Sequence, residues 1–430
     1  MFLHLVCAAC ILVLAAGCSE DRPQTDASTI SEKPRSTPSV PVYGYTYGQA
    51  TGNRVVDGKG QLPEANPVDV DLSGTPVWVA GVPLEEDTAW VVTYADGEVD
   101  AFRLDGTSGE VGPWLTVPDV LPPDAPPLVV SEEDRLDLAT LDGSSPLTHP
   151  VPTEGGLLGV TPRGRLLSES GEQPTVSALR DARIVEGEGG SLAVLSDPTT
   201  RYAHGVLGDP FEAGSIKVLE VGRDGYSVVG RIEPESGGVF EALSPLWFRP
   251  GDGEEELLAV TESTQRMGSR ISVYSPRGSL VAAGPFVGEP QSWRHLIAAG
   301  PFGPNGEMEI AAVRTPHVGG PVEFYRMNRE DGKLRLAASG GEYPSHTIYS
   351  RDLDAVRAGD LDGDGRWELL LPTSSYTTLE AVRHTRNGVE PAWRVPLGGN
   401  LATNLASATD SKGRVVLAAG TLEGKLRTWR

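Results

Sequence analysis

The feature that most constrains this chain is a turn-then-strand unit that returns without a gap. AGPFGPNGEMEIAAV (299–313) superposes on AGDLDGDGRWELLLP (358–372) at an offset of 59 residues, matching Gly300 to Gly359, Gly306 to Gly365, Glu309 to Glu368 and Ile310 to Leu369. The same unit stands 53 residues before Gly306, at Gly253-Glu254-Glu255-Glu256-Leu257-Leu258, and 48 residues after Gly365, at Gly413-Arg414-Val415-Val416-Leu417. Each is followed by a second run, RISVYS (270–275), VEFYRM (322–327), TLEAVRHT (378–385) or KLRTWR (425–430), so the expected element is an apolar strand hairpinned to an amphipathic one. WVVTYADGEVDAFRLDG (90–106) has the same shape nearer the N-terminus.

No long stretch beyond residue 41 places apolar residues at helical spacing, and Gly (52) with Pro (35) far exceed the roughly 12% of ordinary usage. The fold class expected is therefore all-β. Periods of 48 to 59 residues suit propeller blades. The body, 42–430, would hold about seven four-stranded blades, with six or eight also open, and two separate β-domains are the competing arrangement. KLRTWR has no later partner, so it is expected to close the ring on an early segment such as VYGYTYG (42–48).

Residues 2–17, FLHLVCAACILVLAAG, form an apolar run without Lys, Arg, Asp or Glu, placed as a signal peptide and short for a membrane span. Its end, Leu14-Ala15-Ala16-Gly17-Cys18, resembles the lipobox of bacterial lipoproteins, which implies lipid attachment at Cys18 after removal of 1–17; an ordinary cleaved signal is the alternative. Cys7 and Cys10 would leave with the signal, so the mature chain has no pair for a disulfide. Residues 18–41 are rich in Ser, Thr, Pro and charge and read as a disordered tether. The address expected is the cell envelope, outer membrane or cell surface.

DLDGDGRWELLLP (360–372) is the most specific motif, and on it the chain resembles the FG-GAP or VCBS repeat of integrin-alpha-like propellers, most clearly over 240–430. In that family such a loop binds calcium. Asp360, Asp362 and Asp364 alternate with residues that let the chain curl, bringing hard oxygens together as Ca²⁺ requires. The resemblance implies a backbone carbonyl from Arg366 and a closing carboxylate from Glu368. Leu371 at the twelfth position excludes an EF-hand. An acidic Asp-Gly turn without metal is the plainer reading. The sister loops lack these ligands, offering Pro301, Gly303, Asn305, Glu307 and Glu309, or Phe248, Pro250, Asp252 and Glu256.

Catalytic signals are sparse. His149, His204, His295, His317, His346 and His384 show no zinc spacing, although His317 and His346 fall near strand ends where a propeller could face them inward. There is no G-x-S-x-G elbow. The tryptophans are scattered along the body, and the alignment of Trp367 with Met308 assigns it to packing. The net charge of −23 argues against nucleic acid. The expectation is thus a monomeric, calcium-binding, lipid-anchored module that binds protein or glycan without catalysis. The alternative is an extracytoplasmic propeller enzyme acting on polysaccharide or a small metabolite.

Overall fold

Two turn glycines show how the repeat becomes structure. Gly306 and Gly365 adopt φ of 79° and 86°, a region that a side chain disfavours, and each reverses the chain between two antiparallel strands. The register is the same in both units: Gly300 pairs with Glu309, and Gly359 with Glu368. The structure, a computed structural model, describes residues 40–430 except 107, 109, 114–119, 133–134, 174, 203, 223–224, 288 and 290. The signal segment, Cys18 and all but the last residues of the tether lie outside the described residues.

The chain is all-β, with six sheets and, among the described residues, one helical element, the 3₁₀ turn Pro316–Val318. The two aligned units are Arg294–Gly300, Glu309–Arg314, Gly320–Asn328 and Lys333–Tyr343, then Arg357–Asp360, Glu368–Pro372, Thr378–Thr385 and Gly388–Pro396. Each runs antiparallel in chain order. Pro76–Pro83, Thr88–Tyr94, Val99–Leu104 and Val111–Pro113 repeat the pattern.

Burial follows the sequence pattern. Thr88–Tyr94, Leu257–Thr264 and Val415–Thr421 are buried at every residue, because sheets pack on both of their faces; such strands read as continuous apolar runs. Gly388–Pro396, a fourth strand, is mostly exposed or half-buried. The core lies between successive sheets. Ile297, Val313 and Phe324 pack on Ala358, Leu369 and Val382, while Leu370 and Ala381 pack on Leu405, Leu417 and Trp429. Trp367 lies against Gly300, where a Cβ would come within 2.2 Å of its Cζ3, so its place is in packing.

The closing strand departs from expectation. Lys425–Trp429 pairs antiparallel with Pro67–Asp71, not with 42–48, and Val42–Tyr45 pairs with Leu128–Glu132 instead. Charge explains the choice. Asp69 and Asp71 stand opposite Arg427 and Lys425 and pair with them at 2.6 and 2.7 Å, which the tyrosine-rich segment could not do.

Candidate functional site

The acidic turn is built by its own backbone amides. Asp360 Oδ1 accepts from Gly365 N (3.1 Å), Asp362 Oδ1 from Asp364 N (3.1 Å), Asp364 Oδ1 from Arg366 N (2.9 Å) and Glu368 Oε2 from Leu361 N (2.9 Å). Asp360, Asp362 and Glu368 bring one oxygen each within 4.8 Å of one another, a group that could hold a metal ion. Asp364 stands outside that group, and Arg366 turns its side chain onto Asp364 at 2.9 Å.

A guanidinium is already among these carboxylates. Arg383, from Thr378–Thr385, reaches Asp362 at 2.6 Å and Asp364 at 3.0 Å and also pairs with Glu368. Burial pushes the Glu368 carboxyl up to about 7 despite the pull of Arg383. The aligned Glu309 repeats the arrangement, with Arg326 at 2.6 Å and His384 Nδ1 at 2.7 Å. The acid at the head of the strand is therefore a structural partner of an arginine in both units. The sequence carried that signal in VEFYRM and TLEAVRHT, where the arginines passed as strand residues.

A second site lies in a cleft of 740 Å³ where several strands begin. Its walls include Trp78, His346, Arg351, Asp352, Tyr376 and Thr403. Three of the six non-glycine residues with positive φ among the described residues, Asp124 (59°), Tyr349 (68°) and Tyr376 (55°), also line it. Such strain persists only where the surroundings enforce it, and it gathers at working sites.

Two carboxylates of the segment before Arg357–Asp360 dominate the chemistry. Asp354 is sealed from solvent; its Oδ1 takes Arg54 Nε (2.9 Å) and Arg183 Nη1 (3.0 Å), and its Oδ2 takes Arg183 Nη2 (2.6 Å). Burial alone would raise its pKa, but the arginines outweigh it and hold the carboxyl well below the usual range. Asp352 is half-buried on the cleft wall, and its Oδ1 accepts from Asp354 N at 2.8 Å. Burial and the charge on Asp354 push Asp352 up to about 7, against the pull of Arg183 and Arg357. Burial likewise lowers His346 to about 4, so its ring is neutral near pH 7. One acid poised near neutrality beside one held ionised is an arrangement suited to moving a proton.

Sequence reasoning singled out one wall residue, His346, and missed the carboxylate pair. The RDLDAVR run (351–357) was the available signal, overshadowed by the DLDGDG run that begins three residues later.

No protein-family model matches the chain, and no curated protein matches it in sequence. Its fold is similar to the solved structure of a europium-containing methanol dehydrogenase, at a TM-score of 0.53 and 10% identity over 87% of this chain and 89% of that one. The likeness shows the fold alone. The expectation of a non-catalytic binding or scaffold module is corrected here: a structure that shares this fold is an enzyme, and Asp, His and Arg line a cleft of 740 Å³. No helix among the described residues is long and apolar enough to cross a membrane.

Proposed function

We propose that the chain is an exported propeller enzyme in which Asp352 gives or takes a proton on a small metabolite, or on the end of a sugar chain, held in the cleft. The observation that carries this reading is the placement of Asp352 on the cleft wall, its Oδ1 bonded to the Asp354 N–H, beside an Asp354 that is sealed and clamped by arginines; burial and that neighbouring charge push the Asp352 carboxyl up. The cleft volume suits a small ligand. Arg54 and Arg183 keep Asp354 charged, and that charge together with burial raises the Asp352 carboxyl. The europium named for the similar structure is not carried over to this chain.

The propeller would have eight units, counted as 76–113, 128–138 with Val42–Tyr45, 151–173, 185–232, 246–283, 294–343, 357–396, and 401–429 with Pro67–Asp71. Shorter units in the N-terminal half raise the number above the seven suggested by the period. Apolar contact from the last unit back to the first, Ala406, Val416 and Leu426 on Val79, Trp90 and Phe102, supports a closed ring.

Calcium in the acidic turn would be structural, held by Asp360, Asp362 and Glu368 as in the repeats it resembles, with Arg383 displaced. The apolar leader and Cys18 support a lipid-anchored address.

The test offers purified protein and its Asp352→Asn variant a panel of oligosaccharides and small hydroxylated metabolites, with consumption followed by mass spectrometry. Consumption by the parent alone is the expected result. Equal consumption by both, or by neither, refutes the assignment.

A further inference from the structure

His295 and His346 lie against Trp293, and His317 then His204 continue the run of rings from His346, so four of the six histidines beyond the leader come together from segments up to 142 residues apart. Ring centres of His204 and His317 are 6.0 Å apart, and those of His317 and His346 are 6.3 Å apart. The two outer rings are each fixed by one nitrogen. His204 Nδ1 bonds the Glu241 carboxylate, and His346 Nε2 bonds the Ser350 carbonyl at 2.9 Å. The inner nitrogens are left over: His346 Nδ1 and His317 Nδ1 are buried without a hydrogen-bond partner, and His346 is only 3% exposed.

That division of labour is the one metal-binding imidazoles use. One nitrogen takes the ion while the other donates to a carboxylate or a carbonyl, which fixes the tautomer and aims the ring. The surroundings favour a cation. Glu241 is sealed from solvent, and Glu212, 2% exposed, keeps Oε2 buried without a partner. Burial and the neighbouring Glu241 push the Glu212 carboxyl well up.

We propose that His204, His317 and His346 form a three-imidazole site for a borderline-soft divalent cation of the zinc type, with Glu241 and the Ser350 carbonyl orienting the two outer rings. Nitrogen donors select such an ion over Ca²⁺, so this site is chemically distinct from the acidic turn. It also does not rest on the acid–base role of Asp352. Tetrahedral zinc with nitrogens at about 2.0–2.1 Å sets ring centres about 5 Å apart, so His317 must close on each of its two neighbouring rings by about 1 Å on binding. His317 can supply that movement. It rides on the short turn Pro316–Val318, between Thr315 and Gly319 in left-handed conformations, beside Val318, which is 73% exposed and marks the ion's way in. Three protein ligands leave a fourth position for water.

The experiment strips the purified mature chain with chelator and titrates it with Zn²⁺ by calorimetry, and with Co²⁺ by visible absorption. One zinc should bind, equally well in Asp362→Asn, and Co²⁺ should give the absorption of a tetrahedral nitrogen-ligated ion. His317→Ala, on a surface turn, should weaken binding by at least about 100-fold and abolish the Co²⁺ spectrum, while Glu241→Gln should weaken it by about 10–100-fold. Retained melting behaviour of His317→Ala without metal ensures that its loss reports on the ligand. No zinc binding overturns the proposal, as does binding that survives His317→Ala, which would place the ion elsewhere, or binding that is lost in Asp362→Asn.

Discussion

Asp354 N–H donates to Asp352 Oδ1 at 2.8 Å, and this one bond joins two carboxylates with opposite fates. Arginines hold Asp354 ionised well below the usual range, whereas burial and that same ionised neighbour raise Asp352 to about 7. The charge that two arginines stabilise is the charge that keeps a proton on the residue facing the cleft.

Asp352 should therefore destabilise the fold as pH rises. Its folded value of about 7 lies above the unfolded value of about 3.9, so between them the folded chain holds a proton that the unfolded chain releases. Asp352→Asn removes that cost. The variant should melt above the parent at pH 8 and with it at pH 4. A variant that melts below the parent at pH 8 would show that Asp352 is ionised and stabilising.

Asp354→Asn should act in the other direction. It leaves Arg54 and Arg183 buried without their anion, a loss of about 3–5 kcal/mol near neutral pH. Because the folded value of Asp354 is depressed, its contribution is present above the unfolded value and fades as pH falls through the folded one. Urea unfolding at pH 7 and pH 3 should show the gap between variant and parent narrowing in acid.

Calcium must compete with Arg383 for Asp362 and Glu368. At about 100 times its dissociation constant Ca²⁺ should stabilise the parent by ~2.7 kcal/mol, and Asp362→Asn should remove that response while Asn305→Ala does not. Arg383→Gln should melt lower in chelator and gain more from Ca²⁺. If calorimetry gives no heat of binding for either parent or Arg383→Gln, the loop is an acidic turn neutralised from within.

Truncation before Gly424 should cause aggregation or a clear loss of thermal stability. It bares the edges of Pro67–Asp71 and Val415–Thr421 and removes Trp429, which is 2% exposed. Asp69→Asn, which breaks only a partly exposed ion pair, should cost no more than about 1 kcal/mol in urea unfolding. A soluble truncated chain with the parent's melting curve would make the last strand peripheral.

The strands were legible because their signals are local. Runs such as TAWVVTY state burial on both faces, and turn glycines such as Gly306 and Gly365 mark where the chain must reverse. That the two aligned units share one register agrees with the sequence match of Gly300 to Gly359 and Glu309 to Glu368. What lay hidden depended on distant partners. Arg54 is 300 residues from Asp354, and Arg183 is 171, so nothing near RDLD announced a clamped carboxylate. Arg383 hid in the same way from the acidic turn that it neutralises. The short strands of 128–138 and 151–173 also do not keep the period of the C-terminal half, so the period alone left the unit number between six and eight.

The pairing of Pro67–Asp71 with Lys425–Trp429 also sets a timetable. During synthesis or passage through a membrane pore, the early strand emerges long before the strand that will cover it, and every intervening sheet can form while it waits. A waiting edge invites pairing with other chains. PVDVD answers with a carboxylate at alternate positions, so two copies brought edge to edge would repel, while the late strand arrives bearing Lys425 and Arg427. The same charges that choose the partner keep the place vacant until it comes.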